Sequence, residues 1–441
     1  MSKKVKGKAR MRESADILIV NAEEMVTLAG SSQKPKIGKQ MRELEIIHDG
    51  AIAIQEGKII AVGKTQDVTK TFRGECVLSA KGKTVLPGFV DAHTHLVFAG
   101  SCEDEFERLI GGASFMEVLN SGDAIFKTTK ETRRTRVEKL VELGLERLDT
   151  MLAHGTTTVE AKSGYGLNTE DELRILEATK RINQLHCTNV IPTFMGAHAV
   201  PLDFRNSVEE YVDMIVEEAL PKVAERGLAE FCDVFCDRGM FNAEQAKRIL
   251  RNGKKLGLKA KIHADYMSML RGAEVGAEMD AVSADHLNFA SAQGIKAMAE
   301  KGVAPVLLPA GTFSLLMTRY ADARLMIDSG LPVALGTDFN ASNWVLNQQL
   351  VIAMACHFMR MTPAEAIAAA TINAAHAIRR GSEVGSLEVG KRADVTILNA
   401  PNHRFLGYSF SVNLVEKVIA NGRLLVDREK RDEPVFMTKN E

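Results

Sequence analysis

Two kinds of hydrophobic pattern divide this chain. Residues 16–63 hold stretches of alternating apolar and polar positions, DILIVNA and then AIAIQEGKIIAVG, with a turn at Gly57. Period-two alternation turns one face of each stretch to a core and the other to solvent, which predicts a half-buried antiparallel sheet. The same texture returns in KRADVTILNA (391–400) and VEKVIANGRLLV (415–426), the latter with an Asn421-Gly422 pair suited to a two-residue hairpin turn. Between these ends, from about 88 to 380, short apolar runs alternate with longer helix-like segments. The runs are GFVDAHTHLVF, TTTVEAKS, VIPTFMGAH, AEFCDVFCD, KAKIHADY, AVSADHL, APVLLPA and PVALGTDF, and helical periodicity fills 136–154, 170–185, 207–226, 242–256 and 320–330. Eight strand–helix repeats predict a closed barrel of parallel strands. Thr362-Pro363-Ala364-Glu365 then opens an alanine-rich helix, with a capping box and proline at its first position.

The expected architecture is α/β: a TIM-like (β/α)8 barrel at 88–380 and a small β-sandwich built from both termini, 14–87 and 381–441. Residues 1–13 are basic without an apolar run, and are expected to be a disordered, solvated tail rather than a secretion signal. Composition changes little in this picture. Apolar residues make up 45% and charged residues 26% of 441, with a formal net charge of -1, so no excess of positive charge points to nucleic acid. No apolar run reaches ~18 residues, so no membrane span is expected. Six scattered cysteines read as reduced thiols, which suits a cytoplasmic protein.

Candidate chemistry is concentrated where the apolar runs end. In such a barrel, functional side chains project from the C-terminal ends of the strands. Those ends carry His93 and His95, Lys162, His198, Asp237, His263, His286 and Asp338, while the seventh run ends in Pro309. Residues two apart on a strand share a face, so His93 and His95 point inward together. Two neutral imidazoles, with His263, His286 and Asp338 ending later strands, form a donor set for zinc or iron. Such an ion lowers the pKa of a bound water towards ~7, which equips a site to attack an amide or amidine carbon. The remaining histidines, His48, His154, His186, His357, His376 and His403, sit in helical or loop contexts and are expected to have no role.

The segments LPGFVDAHTHLVFAG, HGTTTVEAKSGYGL, TFMGAH, KIHAD, SADHL and LGTDFN, with the terminal GSLEVGKRADVTIL and VNLVEKVIANG, resemble the imidazolonepropionases of the amidohydrolase superfamily over nearly the whole chain. The resemblance implies a distorted barrel with a β-sandwich domain, and one Zn or Fe ion held by His93, His95, His263 and Asp338. It implies hydrolytic opening of an imidazolone ring, giving formiminoglutamate in histidine degradation, by a homodimer. Tyr165 and His198 match substrate contacts of the family, and His286 matches the residue that orients the catalytic water. Asp338 is expected to move the water proton, and His198 to polarise the reacting group. Lys162, in KSGYG, matches the single-metal context rather than a lysine bridging two metals.

The chain departs from the family pattern around the substrate. Cys102 stands where the family has an arginine that pairs with the substrate carboxylate, Phe115 where it has tyrosine, and Tyr266 where it has a glutamate that assists proton transfer. Gly122-Asp123-Ala124 replaces three glycines, and the loop NASNWVLN, beginning at Asn340, replaces a Gly/Ser/Pro-rich stretch. The expected substrate shell is therefore Tyr165, His198, Cys102, Phe115, Tyr266 and Asn340. Arg271 and Arg319 are candidates for a replacement cation, and surface arginines on the plainer reading. Two further functions fit the same motifs: an aminohydrolase of a nitrogen heterocycle, and a non-catalytic metabolite-binding paralogue.

Overall fold

The computed structural model describes residues 12–429; the expected tail lies outside them except for Arg12 and Glu13, and Glu13 already begins a strand. Seven strands precede the barrel: β1 (Glu13–Ala22), β2 (Glu24–Val26), β3 (Ile46–Ile47), β4 (Gly50–Gln55), β5 (Lys58–Lys64), β6 (Phe72–Ser79) and β7 (Thr84–Pro87). Eight build it: β8 (Phe89–Thr94), β9 (Thr156–Lys162), β10 (Asn189–Ala197), β11 (Phe231–Cys236), β12 (Lys259–Ala264), β13 (Ser283–His286), β14 (Ala304–Leu307) and β15 (Ala334–Leu335). Three follow: β16 (Val395–Leu398), β17 (Val415–Ala420) and β18 (Arg423–Asp427).

Strands β8 to β15 lie side by side in sequence order, every neighbouring pair parallel. The ring closes just beyond β15. There the His95 N–H donates to the Phe339 carbonyl at 2.8 Å and the Asp338 N–H to the His93 carbonyl at 3.0 Å. β8, β9 and β11 are buried along their whole length, as parallel strands covered on both faces must be. Helices Val137–Ala153, Thr169–Leu185 and Ala243–Lys255 fall where periodicity places them. The 207–226 segment breaks into Val208–Met214, a π turn at Ile215–Ala219, and Leu220–Glu225. Pro221 explains the break: it has no N–H and crowds the carbonyl of the preceding turn, which a wider turn relieves. Three short helices, Glu103–Ile110, Phe115–Asn120 and Ile125–Arg134, follow β8 and were not singled out by periodicity.

The terminal strands form two sheets, β5-β4-β1-β6 and β18-β17-β16-β7-β2-β3, and the two ends of the chain meet where β16 pairs antiparallel with β7. Ile17, Ile19, Ile52 and Ile54 of the first sheet share one core with Val85, Val395, Ile397 and Ile419 of the second. Within each strand these are alternate residues, the arrangement that period-two patterning requires. Glu56-Gly57 and Asn421-Gly422 turn their hairpins with φ of 50°, 76°, 51° and 75°, the positive values a two-residue turn of this hand needs.

The capping box at Thr362 does more than start a helix. The buried Glu365 carboxylate accepts the Thr362 N–H at 2.8 Å and also binds Arg42 at 2.9 Å and Arg324 at 3.0 Å. Three separate segments are thereby tied together. Burial alone would raise this carboxyl, but the Arg324 hydrogen bonds, the Thr362 N–H and Arg42 outweigh it and hold it at about 2. A carboxyl depressed on folding contributes stability that is present above its ordinary pKa and lost as pH falls from there towards about 2. Glu365→Gln is expected to cost about 2–3 kcal/mol at pH 7 in chemical denaturation, and the deficit should shrink as pH falls through that window. A deficit that does not change with pH would remove the charge from this account.

Candidate active site

The C-terminal ends of the barrel strands converge on a cavity of about 480 Å³, its mouth included. His95, His198, His263, His286 and Asp338 line it, as do Phe115, Tyr165, Tyr266 and Asn340. His93 is buried beside them. Cys102 is the exception among the expected contacts. It lies one layer behind, in a small adjoining cavity with Glu105, and Phe115, Leu315 and Ser342 form the wall between the two. Cys102 immediately precedes the helix Glu103–Ile110, and its thiol lies 3.6 Å from Thr128 Oγ1, which turns it away from the central cavity. Arg271 and Arg319 are exposed and do not line the cavity; Arg319 donates to the Asn288 carbonyl at 2.8 Å.

The imidazoles are oriented from behind. His93 Nδ1 donates to Asp285 at 2.7 Å, His263 Nδ1 to Asp233 at 3.2 Å, and His95 Nδ1 to the Ser163 carbonyl at 3.3 Å. These acceptors assign the proton to Nδ1 and leave each Nε2 with a free lone pair. His93 Nε2 is buried with no hydrogen-bond partner and stands 3.5 Å from Asp338 Oδ1. The donor atoms of His93, His95 and Asp338 lie within 4.8 Å of one another, and so do those of His93, His263 and His286. A buried nitrogen without a partner, facing other neutral donors and a carboxylate, is what a divalent ion satisfies. Burial pushes His93, His95 and His286 well below the usual imidazole value and His198 down to about 3, so all four are neutral, the form that binds metal. Burial drives Asp338 the other way, well above the ordinary carboxylate range, against a hydrogen bond from Asn340. Asp338 and His286 take φ of 54° and 74°, left-handed values that non-glycine residues adopt mainly where the surroundings enforce them.

Beneath the histidines lies a buried ion network. Lys162 Nζ is 2.7 Å from Asp233, 2.8 Å from Glu160 and 3.3 Å from Asp285, and Lys261 Nζ is 3.1 Å from Glu160. Burial alone would lower the Lys162 pKa, but Asp233, Glu160 and Asp285 overcome it and hold the ammonium charged. Of this set, reading strand ends alone finds only Lys162. The missed signal is periodic: Asp91-x-His93, Asp233-x-Phe235, Lys261-x-His263 and Ser283-x-Asp285 each put a polar group on the inward face one layer deeper. Phe235, also missed, lines the cavity. Asp237 has a structural task, accepting from the Tyr266 and Met267 N–H groups at 2.6 and 2.8 Å and from Ser268 Oγ at 2.6 Å. It thereby fixes the loop that presents Tyr266. The six histidines expected to have no role all bond elsewhere, for example His403 to Glu24 and His376 to the Ser31 carbonyl. Cys76, Cys102, Cys232, Cys236 and Cys356 are free thiols.

Closed barrel, flanking sandwich and a His/Asp cluster at the strand ends together define an amidohydrolase. Residues 84–425 match the model of the Amidohydrolase family. The chain is 50% identical over 415 residues to the imidazolonepropionase of Geobacillus sp. (strain WCH70), covering 93% of this chain and 98% of that one. It is 47% identical over 416 residues to that of Alkaliphilus metalliredigens (strain QYMF), covering 94% and 98%. Among solved structures it is similar to a zinc-bound adenosine deaminase from Xanthomonas campestris, with TM-score 0.70, 20% identity and coverage of 98% and 96%. A mutant atrazine chlorohydrolase from Arthrobacter aurescens, complexed with zinc and atraton, matches with TM-score 0.71, 18% identity and coverage of 94% and 96%; both structural likenesses concern the fold. The chain belongs to the amidohydrolase family and, within it, to the imidazolonepropionases. It is a hydrolase of non-peptide C–N bonds in cyclic amides. No helix among the described residues is long and apolar enough to cross a membrane.

Proposed function

We propose that the site opens an imidazolone ring, in the manner of histidine degradation, with one divalent ion held by His93, His95, His263 and Asp338. The observation that carries this reading is the unpartnered His93 Nε2, buried 3.5 Å from Asp338 Oδ1. Zinc in two structural relatives supports the metal class, and iron is the alternative for a nitrogen and oxygen donor set. Lys162 supports one ion rather than two, since its ammonium is committed to Asp233, Glu160 and Asp285 and offers no neutral amine to bridge a second. The ion, when bound, supplies Lewis-acid activation of water at neutral pH.

The side chains supply the rest. Asp338 takes a proton from the attacking water and passes it to the ring nitrogen. The water oxygen joins the ring carbonyl carbon as the C–N bond breaks, leaving a carboxylate and a free amidine. His286 Nδ1 is buried without a partner and lies where it can orient that water. His198 is assigned a different task from polarising the carbonyl. Its Nδ1 donates to the Gly164 carbonyl at 2.9 Å, so its neutral Nε2 can only accept, which suits a ring N–H. A homodimer in the cytoplasm completes the proposal on the strength of the family likeness.

Metal analysis and ring-opening assays test it together. Carefully prepared protein should hold about one zinc or iron per chain, and removing it with a chelator should abolish turnover and lower the melting temperature. Fewer than ~0.1 metal per chain under those conditions would favour a binding protein instead. Ammonia release without a ring-opened product would favour the aminohydrolase reading.

A further inference from the structure

The Asp338 backbone is held at both ends. Its N–H donates to the His93 carbonyl of β8 at 3.0 Å, which belongs to the closure of the ring. Its carbonyl accepts from Asn340 Nδ2 at 2.8 Å and from Asn343 Nδ2 at 2.9 Å. Both asparagines stand in one tight hairpin. The Asn340 N–H donates to the Asn343 carbonyl at 3.0 Å and the Asn343 N–H to the Asn340 carbonyl at 3.1 Å. The hairpin opens the loop NASNWVLN, where this chain departs from the family pattern.

Asn343 is the inner corner of that hairpin. It is 2% exposed and lines the cavity. Its Nδ2 donates to the Thr337 and Asp338 carbonyls, both at 2.9 Å, and its Oδ1 accepts the Ser314 hydroxyl at 2.9 Å. Carbonyl oxygens only accept, so the two partners of Nδ2 assign the orientation of the amide. Both amide hydrogens are thereby engaged with backbone, and neither is left for a substrate. Ser314 ends the helix Pro309–Ser314, whose Gly311 lies against the Asp338 carboxylate. One side chain thus ties together the exits of β14 and β15, on either side of Asp338. The tie matters because Asp338 sits at φ 54°, a left-handed conformation that persists in a non-glycine residue where its surroundings enforce it.

We propose that Asn343 is a positioning residue for the reaction: it holds the Asp338 turn in its left-handed form and so fixes the direction in which the carboxylate faces the ion and the attacking water. The proposal rests on the ring-opening reading above and adds to that site a residue outside its ligand and substrate sets. A reacting group misplaced by about 1 Å can lose about 10²-fold in rate, and Asn343 is one of several restraints on Asp338, so its removal should cost less than that.

Asn343→Ala, Asn343→Asp and Ser314→Ala should be compared with the parent, with turnover expressed per folded, zinc-loaded chain. Asn343→Ala is expected to lower kcat about 10-fold with KM within about 2-fold. Its zinc affinity, read by chelator competition without any substrate, should fall about 10-fold. Asn343→Asp keeps the shape but has no N–H to donate, and should be no better than Asn343→Ala. Ser314→Ala leaves both Asn343 donations in place and should lower kcat only about 2–3-fold; with Asn343→Asp it carries the test if Asn343→Ala does not fold. Unchanged kcat and zinc affinity in Asn343→Ala, or an Asn343→Asp protein that matches the parent, overturns the proposal. So does a raised KM at constant kcat, which would make Asn343 a substrate contact. Failure of the ring-opening reading looks different: the parent opens no imidazolone ring, while zinc affinity still falls in the asparagine variants.

Discussion

Asp338→Asn is expected to lower kcat about 10³-fold or more, with the fold intact. Two losses combine. Asn has no basic oxygen to take a proton from water, and it removes the negative charge opposite the imidazoles. The backbone should not object. Asp338 sits at φ 54°, and asparagine is among the residues that tolerate this left-handed region best. The side chain keeps an acceptor for the Asn340 Nδ2 group, which lies 3.1 Å from Asp338 Oδ1. Circular dichroism and melting should therefore match the parent, and metal content should be measured on the same samples. A variant that retains near-full turnover would remove Asp338 from the proton path. A variant that loses turnover and metal together would confine the carboxylate to metal binding.

Lys162→Met should carry the largest stability effect, a loss of about 3–5 kcal/mol. Glu160, Asp233 and Asp285 are fully buried, and without Lys162 only Lys261 remains to offset three carboxylates. Breaking a buried pair costs more than the pair is worth, because the partner charges stay behind without water. The effect should reach the histidines. Asp285 and Asp233 each serve Lys162 and an imidazole at once, so a shift in either turns His93 or His263. Zinc affinity measured by chelator competition should fall about 10–100-fold. Lys162→Met combined with Glu160→Gln restores the charge balance and should recover part of both losses, which also provides a test if the single variant does not fold. Unchanged zinc affinity in a folded Lys162→Met protein would leave the network a purely structural role.

How much of this was legible beforehand differs by level. The terminal sandwich was legible because one face of each strand meets solvent, so period-two alternation marks it, and Glu56-Gly57 and Asn421-Gly422 announce their turns. The barrel was legible from repetition, and the ends of its strands named His95, His198, His263, His286 and Asp338, which line the cavity, and His93 beside them. The buried network was harder to see. Strands covered on both faces carry no alternation of their own, and a charged residue inside one reads as an exception until its partners are known. Lys162 and Glu160 lie two apart on β9, but Asp233 and Asp285 come from β11 and β13 and meet them only across the ring.

The sequence by itself determined the family, the order of the barrel strands, and the histidines and aspartate at the barrel mouth, since these follow from local pattern and motif. The tertiary structure alone decided which side chains are neighbours. It set Cys102 one wall behind Phe115, left Arg271 and Arg319 outside the cavity, and left the Tyr266 hydroxyl without a partner inside it. The physical reason is that the charge and hydrogen-bond balance of a pocket is a property of the packed surfaces around it, and those surfaces come from segments far apart in the chain.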